Sequence, residues 1–318
     1  MDKLPLVSVV MITYNHEAYI EEAIRGVLIQ NCDFQIEFII SNDKSTDRTA
    51  EVITKILQES KIPEDIIIKV YNHEINKGVS TNFSWALEQA TGKYIALCEG
   101  DDYWTDSMKL QKQVGFLETN TDYVLCFTNC STVDQNNAIK NLNFIGYTED
   151  RTFEEKDLMF VAPTLTRVFR LNKKLVISEN SIVAQDSLML IEQMKLGKAK
   201  YLNFVSGNYR KHSGGVWSSL DIISIRESKF EIAYYGLKVS NEKSLFFRKS
   251  LIELAKLINQ NEESFKSKFN KFLINHRIYI SLSLKQTVLF KCYLLVVSIP
   301  FLSKLNKTRI LMRLIKGI

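Results

Sequence analysis

Three carboxylates follow one short apolar segment of this sequence, and they are the first residues whose spacing could support chemistry. Residues 94–98 are apolar and include β-branched and aromatic side chains, which is typical of a buried strand. Glu99, Asp101 and Asp102 come directly after it, and Gly100 lets the backbone turn between them. Carboxylates crowded at a strand end repel one another, and a divalent cation with oxygen ligands would relieve that repulsion. The alternative is a solvated acidic turn that caps the following helix.

Two later segments carry further candidate groups. Asp186 lies in the first turn of a helix predicted within residues 181–197, where the helix dipole favours an anion, so a structural role is an adequate reason for it. Residues 208–217 combine Arg210 and His212 with two glycines. Cations in such a loop could face a bound phosphate or a metal ion, and the glycines would make the loop a mobile lid. The alternative for His212 is a structural histidine.

The elements that must position these groups alternate between strand and helix. Four apolar segments predict strands at residues 6–13, 36–41, 66–70 and 94–98, and amphipathic segments between them predict helices. This order is typical of βαβ units that form a parallel sheet covered on both faces. The carboxyl ends of parallel strands are also where such sheets bind ligands. Neither the Gly-x-Gly-x-x-Gly pattern of dinucleotide-binding proteins nor a P-loop occurs.

The second half of the sequence gives weaker structural signals. It predicts a helix at residues 105–118, strands at 122–130, 168–171 and 201–205, and a polar surface loop at 135–151 that could border an acceptor site. From residue 220 onward, amphipathic patterns predict a helical extension with helices at 222–237 and 244–258. Residues 288–302 are the most apolar stretch, but Lys291 and Pro300 interrupt it and it is too short to span a bilayer.

Charge is distributed unevenly along the sequence. Residues 221–318 hold 18 Lys and Arg against seven Asp and Glu, and no acidic residue follows Glu263. A basic extension on an acidic body predicts an anionic surface partner, such as a membrane leaflet. Residues 311–318 place apolar and basic side chains on different helix faces, as in segments that lie in a membrane interface. The alternative is a helical pair buried in a homo-oligomer. No stacking motif or groove-reading helix supports a nucleic-acid partner.

Five short patterns resemble, in order, the landmarks of family 2 glycosyltransferases. They are Val-Ser-Val-Val-Met-Ile-Thr-Tyr-Asn at 7–15, Glu-Phe-Ile-Ile-Ser-Asn-Asp-Lys-Ser-Thr-Asp at 37–47, Asn-Lys-Gly at 76–78 followed by Asn82, Ala-Thr-Gly-Lys-Tyr-Ile at 90–95, and the acidic turn. The resemblance covers residues 5–120 and, less closely, 180–217. It implies the α/β fold called GT-A, which is Rossmann-like, with a mostly parallel central sheet and helices on both faces. Such a domain binds a nucleotide-sugar across the carboxyl ends of its first strands.

The resemblance also implies contacts with the nucleotide-sugar donor. Thr13 and Tyr14 would lie against the base and ribose, and Asp43 would accept a hydrogen bond from the base; the alternative for Asp43 is a helix-capping turn residue. Glu99 stands where the family often has Asp, so its ribose contact would be made by a longer side chain. The implied donor-binding residues are Thr13, Tyr14, Asn15, Glu17, Asp43, Lys77, Gly78, Glu99, Gly100, Asp101 and Arg210.

The metal ligands and the catalytic base follow from the same resemblance. Asp101 would bind Mn²⁺ or Mg²⁺ bridging the diphosphate, with Asp102 as a second or outer-shell ligand. His212 would contact the phosphate or the metal. The family places its base in an acidic dipeptide where this sequence has Gln185 and Asp186. Asp186 would then deprotonate the acceptor hydroxyl as it attacks the anomeric carbon, and a single displacement of this kind inverts the configuration.

These observations predict a metal-dependent, inverting glycosyltransferase. The expected donor is a UDP- or dTDP-sugar, and the expected acceptor is a hydroxyl of a saccharide or lipid-linked saccharide in cell-surface polysaccharide synthesis. The predicted division is a GT-A domain at residues 1–219 and a basic helical extension at residues 220–318. Five scattered cysteines without an upstream secretory signal predict a reducing compartment, the cytoplasm. The basic extension adds a peripheral location at the inner face of the membrane. The departures at Glu99 and Gln185 leave one alternative, a non-catalytic nucleotide-sugar-binding scaffold protein of a polysaccharide assembly complex.

Overall fold

The chain divides into two compact units, Met1–Ser218 and Ser219–Ile318. The computed structural model describes residues 6–157, 160–172, 185–242, 245–246, 249–250 and 252–253. The boundary between the units lies next to the division predicted at residues 219 and 220. Of the predicted features of the extension, the segments at 288–302 and 311–318 and most of the helix at 244–258 lie outside the described residues. Their predicted roles stay predictions.

Ten strands of the described chain form one sheet. They are β1 (Val7–Thr13), β2 (Ile36–Asn42), β3 (Ile66–Asn72), β4 (Tyr94–Leu97), β5 (Tyr103–Trp104), β6 (Tyr123–Asp134), β7 (Ile139–Asn141), β8 (Arg151–Phe153), β9 (Val168–Arg170) and β10 (Lys198–Lys211). Their order is β3-β2-β1-β4-β9-β6-β10-β5, with β7 paired to β6 and β8 paired to β10. Strands β1 to β4 pair in parallel, as predicted, whereas β9 is antiparallel to both of its neighbours.

The helices connect and cover this sheet. They are α1 (Ile20–Leu28), α2 (Thr49–Glu59), α3 (Val79–Glu88), α4 (Lys109–Thr119), α5 (Gln185–Met194), α6 (Val216–Ser219) and α7 (Ile222–Val239), with 3₁₀ turns at Glu155–Asp157 and Thr164–Thr166. α1 and α2 connect strands that step from β1 to β2 to β3, whereas α3 leads back across to β4. Because parallel crossovers are right-handed, this reversal places α1 and α2 on one face and α3 on the other. Among the described helices, none is both long and apolar enough to cross a membrane.

The reversal of strand order has a functional consequence for β1 and β4. These two strands are neighbours, yet the chain leaves them in different directions across the sheet. A crevice opens at such a switch point, outside the carboxyl ends of the strands, and is the usual ligand site of an α/β sheet. The acidic turn after β4 and the segment after β1 therefore face the same crevice.

Two predictions for the second half of the sheet are wrong in detail, and one strand was missed. Residues 208–211 were predicted as loop but belong to β10, where Asn208 pairs with Ser131 and Lys211 with Asp134. The predicted loop at 135–151 contains β7 and the first residue of β8, and the two-residue strand β5 was not predicted. The pairing of β10 with β6 shifts register at three places, which disrupts the alternation by which a strand is recognised in sequence.

A hydrogen-bonded network at the amino end of the sheet fixes where β4 begins. The buried Glu37 carboxylate on β2 accepts hydrogen bonds from Ser8 Oγ, from Lys69 Nζ (2.6 Å) and from the Thr91 amide (2.9 Å). Gly92 packs so closely on β1 that a Cβ there would lie 2.6 Å from the Ser8 nitrogen. Two of the sequence landmarks, Glu37 and the Thr-Gly pair, therefore set the register of β4 and so the position of the acidic turn.

A lysine on α4 is buried against Trp104. Lys109 on α4 is fully buried, its Nζ donates to Gln113 Oε1 (2.7 Å), and it lies 4.3 Å from the ring centroid of Trp104. Burial lowers the pKa of Lys109 to about 7. Folding therefore favours the neutral amine, whereas the unfolded chain keeps the proton up to the ordinary lysine pKa of about 10.4.

We expect this lysine to make the free energy of unfolding rise with pH. Between pH 7 and pH 8 the unfolded state binds more protons at Lys109 than the folded state, so stability should increase by about 1 kcal/mol over that unit. Urea unfolding followed by tryptophan fluorescence at both pH values measures the slope. Lys109→Met, which keeps the length of the side chain, should reduce it. An equal slope in wild type and variant would contradict the prediction.

Candidate active site

The acidic turn after β4 packs directly on the end of β1. The Gly100 amide donates to the Ile12 carbonyl (2.9 Å), so the turn follows β1 to its last residues. A Cβ on Gly100 would lie 2.7 Å from Thr13 Oγ1 and 3.0 Å from His16 Nδ1. Glycine is needed here for this close approach, and not only for the backbone turn that the sequence suggested. The contact fixes the carboxylates of the turn against the segment that leaves β1.

Three side chains from separate segments converge beside this turn. Asp101 Oδ2 lies 3.0 Å from His212 Nε2, at the end of β10, and 3.9 Å from His16 Nε2, just after β1. The three ligand atoms all lie within 4.8 Å of one another, so a single metal ion could contact them together. Two imidazoles and a carboxylate form a ligand set that suits a divalent transition metal. Of the predicted ligands, Asp101 and His212 belong to this group, and His16 is an addition.

The protonation states in this group suit a cation. Burial lowers the pKa of His16, which keeps its ring in the neutral form that binds metals. Burial alone would raise the pKa of Asp101, but the neighbouring His16 and His212 outweigh it and hold the pKa below its ordinary value. An ionised carboxylate beside a neutral imidazole is therefore present at neutral pH. The residues fit a divalent ion.

Asp102, which was also predicted as a second or outer-shell metal ligand, bonds the turn to β10. Its side chain is buried, its Oδ1 accepts the Arg210 amide (2.8 Å), and it is not a member of the converging group. Burial, together with the charges of Asp101 and Glu99, raises the pKa of Asp102 well above its ordinary value. The described contact of Asp102 thus joins the turn to β10, and its metal contact stays a prediction.

Arg210, predicted to face the diphosphate, is committed to protein contacts in this structure. Its Nε donates to the Asp101 carbonyl (2.9 Å), its Nη1 to Asn137 Oδ1 (2.7 Å) and its Nη2 to Glu22 Oε2 (2.5 Å). The guanidinium also stacks on Tyr19 and Tyr103 and is almost completely buried. Through these bonds Arg210 holds the backbone of Asp101 in place, and a diphosphate contact stays a prediction.

Glu99 presents an unsatisfied oxygen in the same region. Its Oε2 is buried and has no hydrogen-bond partner among the described residues. Burial, followed by the charges of Asp101 and Asp186, raises the pKa of Glu99 to about 8. A buried carboxyl oxygen without a partner is costly unless a ligand group satisfies it. This atom is therefore available to a hydroxyl of the donor, as the predicted ribose contact requires.

Asp186 lies in the first described turn of α5, near enough to the acidic turn for its charge to act on Glu99. Arg167 holds it at two points, because Nη1 donates to the Asp186 carbonyl (2.8 Å) and Nη2 donates to Oδ2 (3.1 Å). Thr164 Oγ1 also donates to Oδ2 (3.0 Å), and the side chain of Asp186 is 25% exposed. Oδ2 is thus fixed by two donors, and the hydrogen bonds found among the described residues do not involve Oδ1.

The predicted base-binding residues come together at the end of β2. Asp43 is buried, its Oδ1 accepts the Lys77 amide (2.7 Å) and its Oδ2 accepts the Gly78 amide (2.9 Å). Gly78 has a φ of 80°, in the left-handed region that favours glycine. Asn76 Nδ2 also donates to the Asp43 carbonyl (3.1 Å), so residues 76–78 hold Asp43 through three hydrogen bonds. The structure gives Asp43 a turn-fixing role, and its contact with a base stays a prediction.

The other predicted donor residues lie in the loops after β1 and β2, which are bonded to each other. Asn15 Oδ1 accepts the Thr46 amide (2.8 Å), and Glu17 Oε2 accepts the Arg48 amide (2.9 Å). Tyr14 is 43% exposed and is free to stack on a ligand. Thr13 differs, because its side chain is buried and shares a hydrogen bond with His16 Nδ1 (3.1 Å). Any contact of Thr13 with base or ribose would come from its backbone.

Sequence reasoning missed His16, Arg167 and Asn137. A histidine three residues past a strand end, in the turn that faces the crevice, was a usable signal for His16. Arg167 precedes β9, and only the placement of that strand beside β4 brings it to Asp186. Asn137, in the β6–β7 hairpin, reaches Glu22, Tyr103 and Arg210. Contacts of this kind depend on tertiary structure and leave no local pattern.

Comparison with known proteins identifies relatives of the chain. The family model described as Glycosyl transferase family 2 matches residues 8–178. An uncharacterized protein of Mycobacterium bovis, Mb1547, is 31% identical over 240 residues, which are 75% of this chain and 67% of that protein. The putative teichuronic acid biosynthesis glycosyltransferase TuaG of Bacillus subtilis is 36% identical over 151 residues, 48% of this chain and 56% of the relative. A Campylobacter jejuni GalNAc(5)-diNAcBac-PP-undecaprenol beta-1,3-glucosyltransferase is 29% identical over 160 residues, covering 49% and 48%.

Solved structures share the fold of this chain. S. aureus TarS 1–349 in complex with UDP-GlcNAc matches with a TM-score of 0.66 at 17% identity, over 98% of this chain and 90% of that protein. The mannosyltransferase PcManGT of Pyrobaculum calidifontis, solved with GDP-Man and Mn²⁺, matches with a TM-score of 0.57 at 16% identity, over 98% and 86%. Both structures are similar to this chain in fold, and that fold is GT-A, as predicted.

Proposed function

This chain belongs to glycosyltransferase family 2, and on that basis we propose that it is a metal-dependent, inverting glycosyltransferase that uses a nucleotide diphosphate sugar. The observation that carries the proposal is the meeting of His16, Asp101 and His212 at the switch point of the sheet, with Asp186 close to the same turn. The fold neighbours solved with UDP-GlcNAc and with GDP-Man and Mn²⁺ support a donor of this class. The donor contact predicted for Asp43 favours UDP or dTDP.

The proposed reaction is a single displacement. The acceptor oxygen forms a bond to the anomeric carbon while the bond from that carbon to the diphosphate oxygen breaks, so the configuration inverts. Asp186 takes the proton of the acceptor hydroxyl through the oxygen that Arg167 and Thr164 leave open. Asp101 and His212 would hold the metal, which supplies positive charge to the departing diphosphate. Glu99 Oε2 would bind a donor hydroxyl.

We propose an acceptor hydroxyl on a saccharide or lipid-linked saccharide of a cell-surface polysaccharide. The relatives named for teichuronic acid biosynthesis and for an undecaprenol-linked acceptor support this class. This chain spans about half the length of those two relatives. The acceptor is therefore proposed from the chemistry of the site together with this partial sequence similarity. A lipid-linked acceptor also agrees with the basic composition of residues 264–318.

A thermal-shift panel tests the donor. UDP, dTDP, GDP and CMP are each added to the full chain with and without Mn²⁺, at about one hundred times the expected dissociation constant, where one site adds about 2.7 kcal/mol of stability. We expect a Mn²⁺-dependent rise in Tm of about 5 to 10 °C with UDP or dTDP. A shift with none of the four would count against the donor site. Product analysis with the responding nucleotide's sugars then tests transfer.

The basic extension makes a separate prediction about membranes. Full-length protein should co-sediment with vesicles that contain anionic lipid. Lys304→Glu, Lys307→Glu and Arg309→Glu together should reduce that binding about a hundredfold or more, because each basic residue near an anionic surface contributes about 1 kcal/mol. A matched control reverses three exposed lysines of the first unit, Lys44, Lys55 and Lys61. Equal loss in both triple variants would show that the extension is not the attachment site.

A further inference from the structure

His16 is held in a defined orientation beside Asp101. Its Nδ1 shares a hydrogen bond with Thr13 Oγ1 (3.1 Å), and Gly100 packs against the same edge of the ring. In the tautomer in which Thr13 Oγ1 accepts from Nδ1–H, the lone pair lies on Nε2, which is the nitrogen that faces Asp101. A fixed ring with one bare nitrogen directed at a carboxylate is the arrangement of a metal-ligating histidine.

The backbone around His16 is equally constrained. The His16 amide donates to Thr49 Oγ1 (2.8 Å), and its carbonyl accepts from the Tyr19 and Ile20 amides (2.9 Å each) at the start of α1. His16 therefore has a fixed position before any metal ion binds. Little conformational entropy would therefore be lost when His16 binds an ion.

A purely structural role accounts less well for the geometry. His212 Nε2 lies at hydrogen-bonding distance from Asp101 Oδ2 (3.0 Å), whereas His16 Nε2, at 3.9 Å, lies beyond it. The His16 and His212 rings are nearly perpendicular, with centroids 6.1 Å apart. The His16 Nε2 atom thus makes no hydrogen bond to the Asp101 carboxylate. The 3.9 Å between these two atoms would let one metal ion contact both.

We propose that His16 is the third protein ligand of the metal and makes the site select Mn²⁺ over Mg²⁺, an inference that rests on the proposed metal-dependent function. Mg²⁺ takes oxygen ligands and tolerates little departure from them, whereas transition metals accept imidazole nitrogen. A site with only Asp101 and His212 would discriminate less between the two ions. Thr13 is then a positioning residue that fixes the tautomer of His16.

The test uses the full chain with Mn²⁺ and UDP. Electron paramagnetic resonance measures the Mn²⁺ dissociation constant and its displacement by Mg²⁺, and electron spin-echo modulation counts the histidine nitrogens coupled to Mn²⁺. We expect two coupled imidazoles in the wild type and one in His16→Asn, with Mn²⁺ affinity lowered at least about tenfold. His16→Asp should lower the preference for Mn²⁺ over Mg²⁺ at least about tenfold, because it replaces nitrogen with oxygen.

Two further variants separate ligation from folding. His73→Gln is the matched control, since the His73 ring is committed to Ser41 and Asn82 at the end of β2 and should not affect the couplings. Thr13→Val should weaken Mn²⁺ binding about tenfold while both couplings remain, and Thr13→Ser should restore it. A wild type with one coupled imidazole, or His16→Asn with both, would overturn the role of His16 alone. A wild type that binds no Mn²⁺ with UDP would overturn the proposed metal dependence as well.

Discussion

Asp101→Asn is expected to abolish the Mn²⁺-dependent binding of UDP or dTDP and to lower kcat/KM about 10³-fold or more. The carboxylate is the only anionic member of the converging group, and its Oδ2 lies between two histidine nitrogens. An amide of the same size keeps the packing but removes the charge that balances a divalent ion. A thousandfold loss corresponds to about 4 kcal/mol, which is within what a catalytic metal supplies to a developing anion.

Two measurements make this result specific. Asp122→Asn, which removes an exposed carboxylate paired with Lys198, should leave both nucleotide binding and transfer unchanged. In the thermal-shift assay without metal, the change in Tm on adding nucleotide should be the same for Asp101→Asn and wild type. If Asp101→Asn still binds the nucleotide in a Mn²⁺-dependent manner, the ion is held elsewhere, and the assignment of the acidic turn is wrong.

The parallel half of the sheet could be read from sequence because its strands are continuous apolar runs. β1, β2 and β4 are almost fully buried, and their apolar runs, which alternate with amphipathic helices, were enough to predict a parallel sheet. The antiparallel half gave no such signal. β9 is only three residues long, and β10 carries polar residues and register shifts along its length. Its course past the acidic turn could not be foreseen, so the region around Arg210 was mistaken for a loop.

In the candidate site, likewise, some residues could be predicted from sequence and others could not. Carboxylates at strand ends, Asp43 and Asp101, were visible because strand ends can be located locally and because acidic clusters are unusual there. The groups that hold them come from distant segments: Arg210 bonds the carbonyl of Asp101 across 109 positions, and its partner Glu22 lies 188 positions away. The contact of Asp102 with the Arg210 amide was not foreseen for this reason. Its predicted role as a second or outer-shell metal ligand stays a prediction.

The acidic turn and Asp186 also explain how two carboxylates near each other could do different work. Glu99 lies in a buried environment that raises its pKa to about 8, which suits a group that donates a hydrogen bond. Asp186 is partly exposed and accepts hydrogen bonds from Arg167 and Thr164. Under the proposed function, these different environments suit Glu99 to donor binding and Asp186 to the role of base.

Asp186→Asn is expected to keep donor binding and to lower kcat about 10²- to 10⁴-fold, the usual contribution of a general base. The amide oxygen can take the position of Oδ2 and accept from Arg167 and Thr164 as before. That choice places the NH₂ group where the open oxygen was, and an amide cannot accept the acceptor's proton. The fold, the metal site and the donor site should therefore be intact, which the Mn²⁺-dependent thermal shift would verify.

The comparison that decides the role of Asp186 is between binding and turnover. Glu192→Gln, a second acid on α5 that pairs with Lys195, is the matched control and should retain wild-type turnover. Loss of nucleotide binding in Asp186→Asn would mean that the residue serves structure through Arg167. Unchanged turnover would place the base elsewhere, and absence of transfer in the wild type with every donor that binds would favour a scaffold. Only retained binding with lost transfer is compatible with a base held at Oδ2 and open at Oδ1, because Arg167 and Thr164 act on the oxygen that does not react.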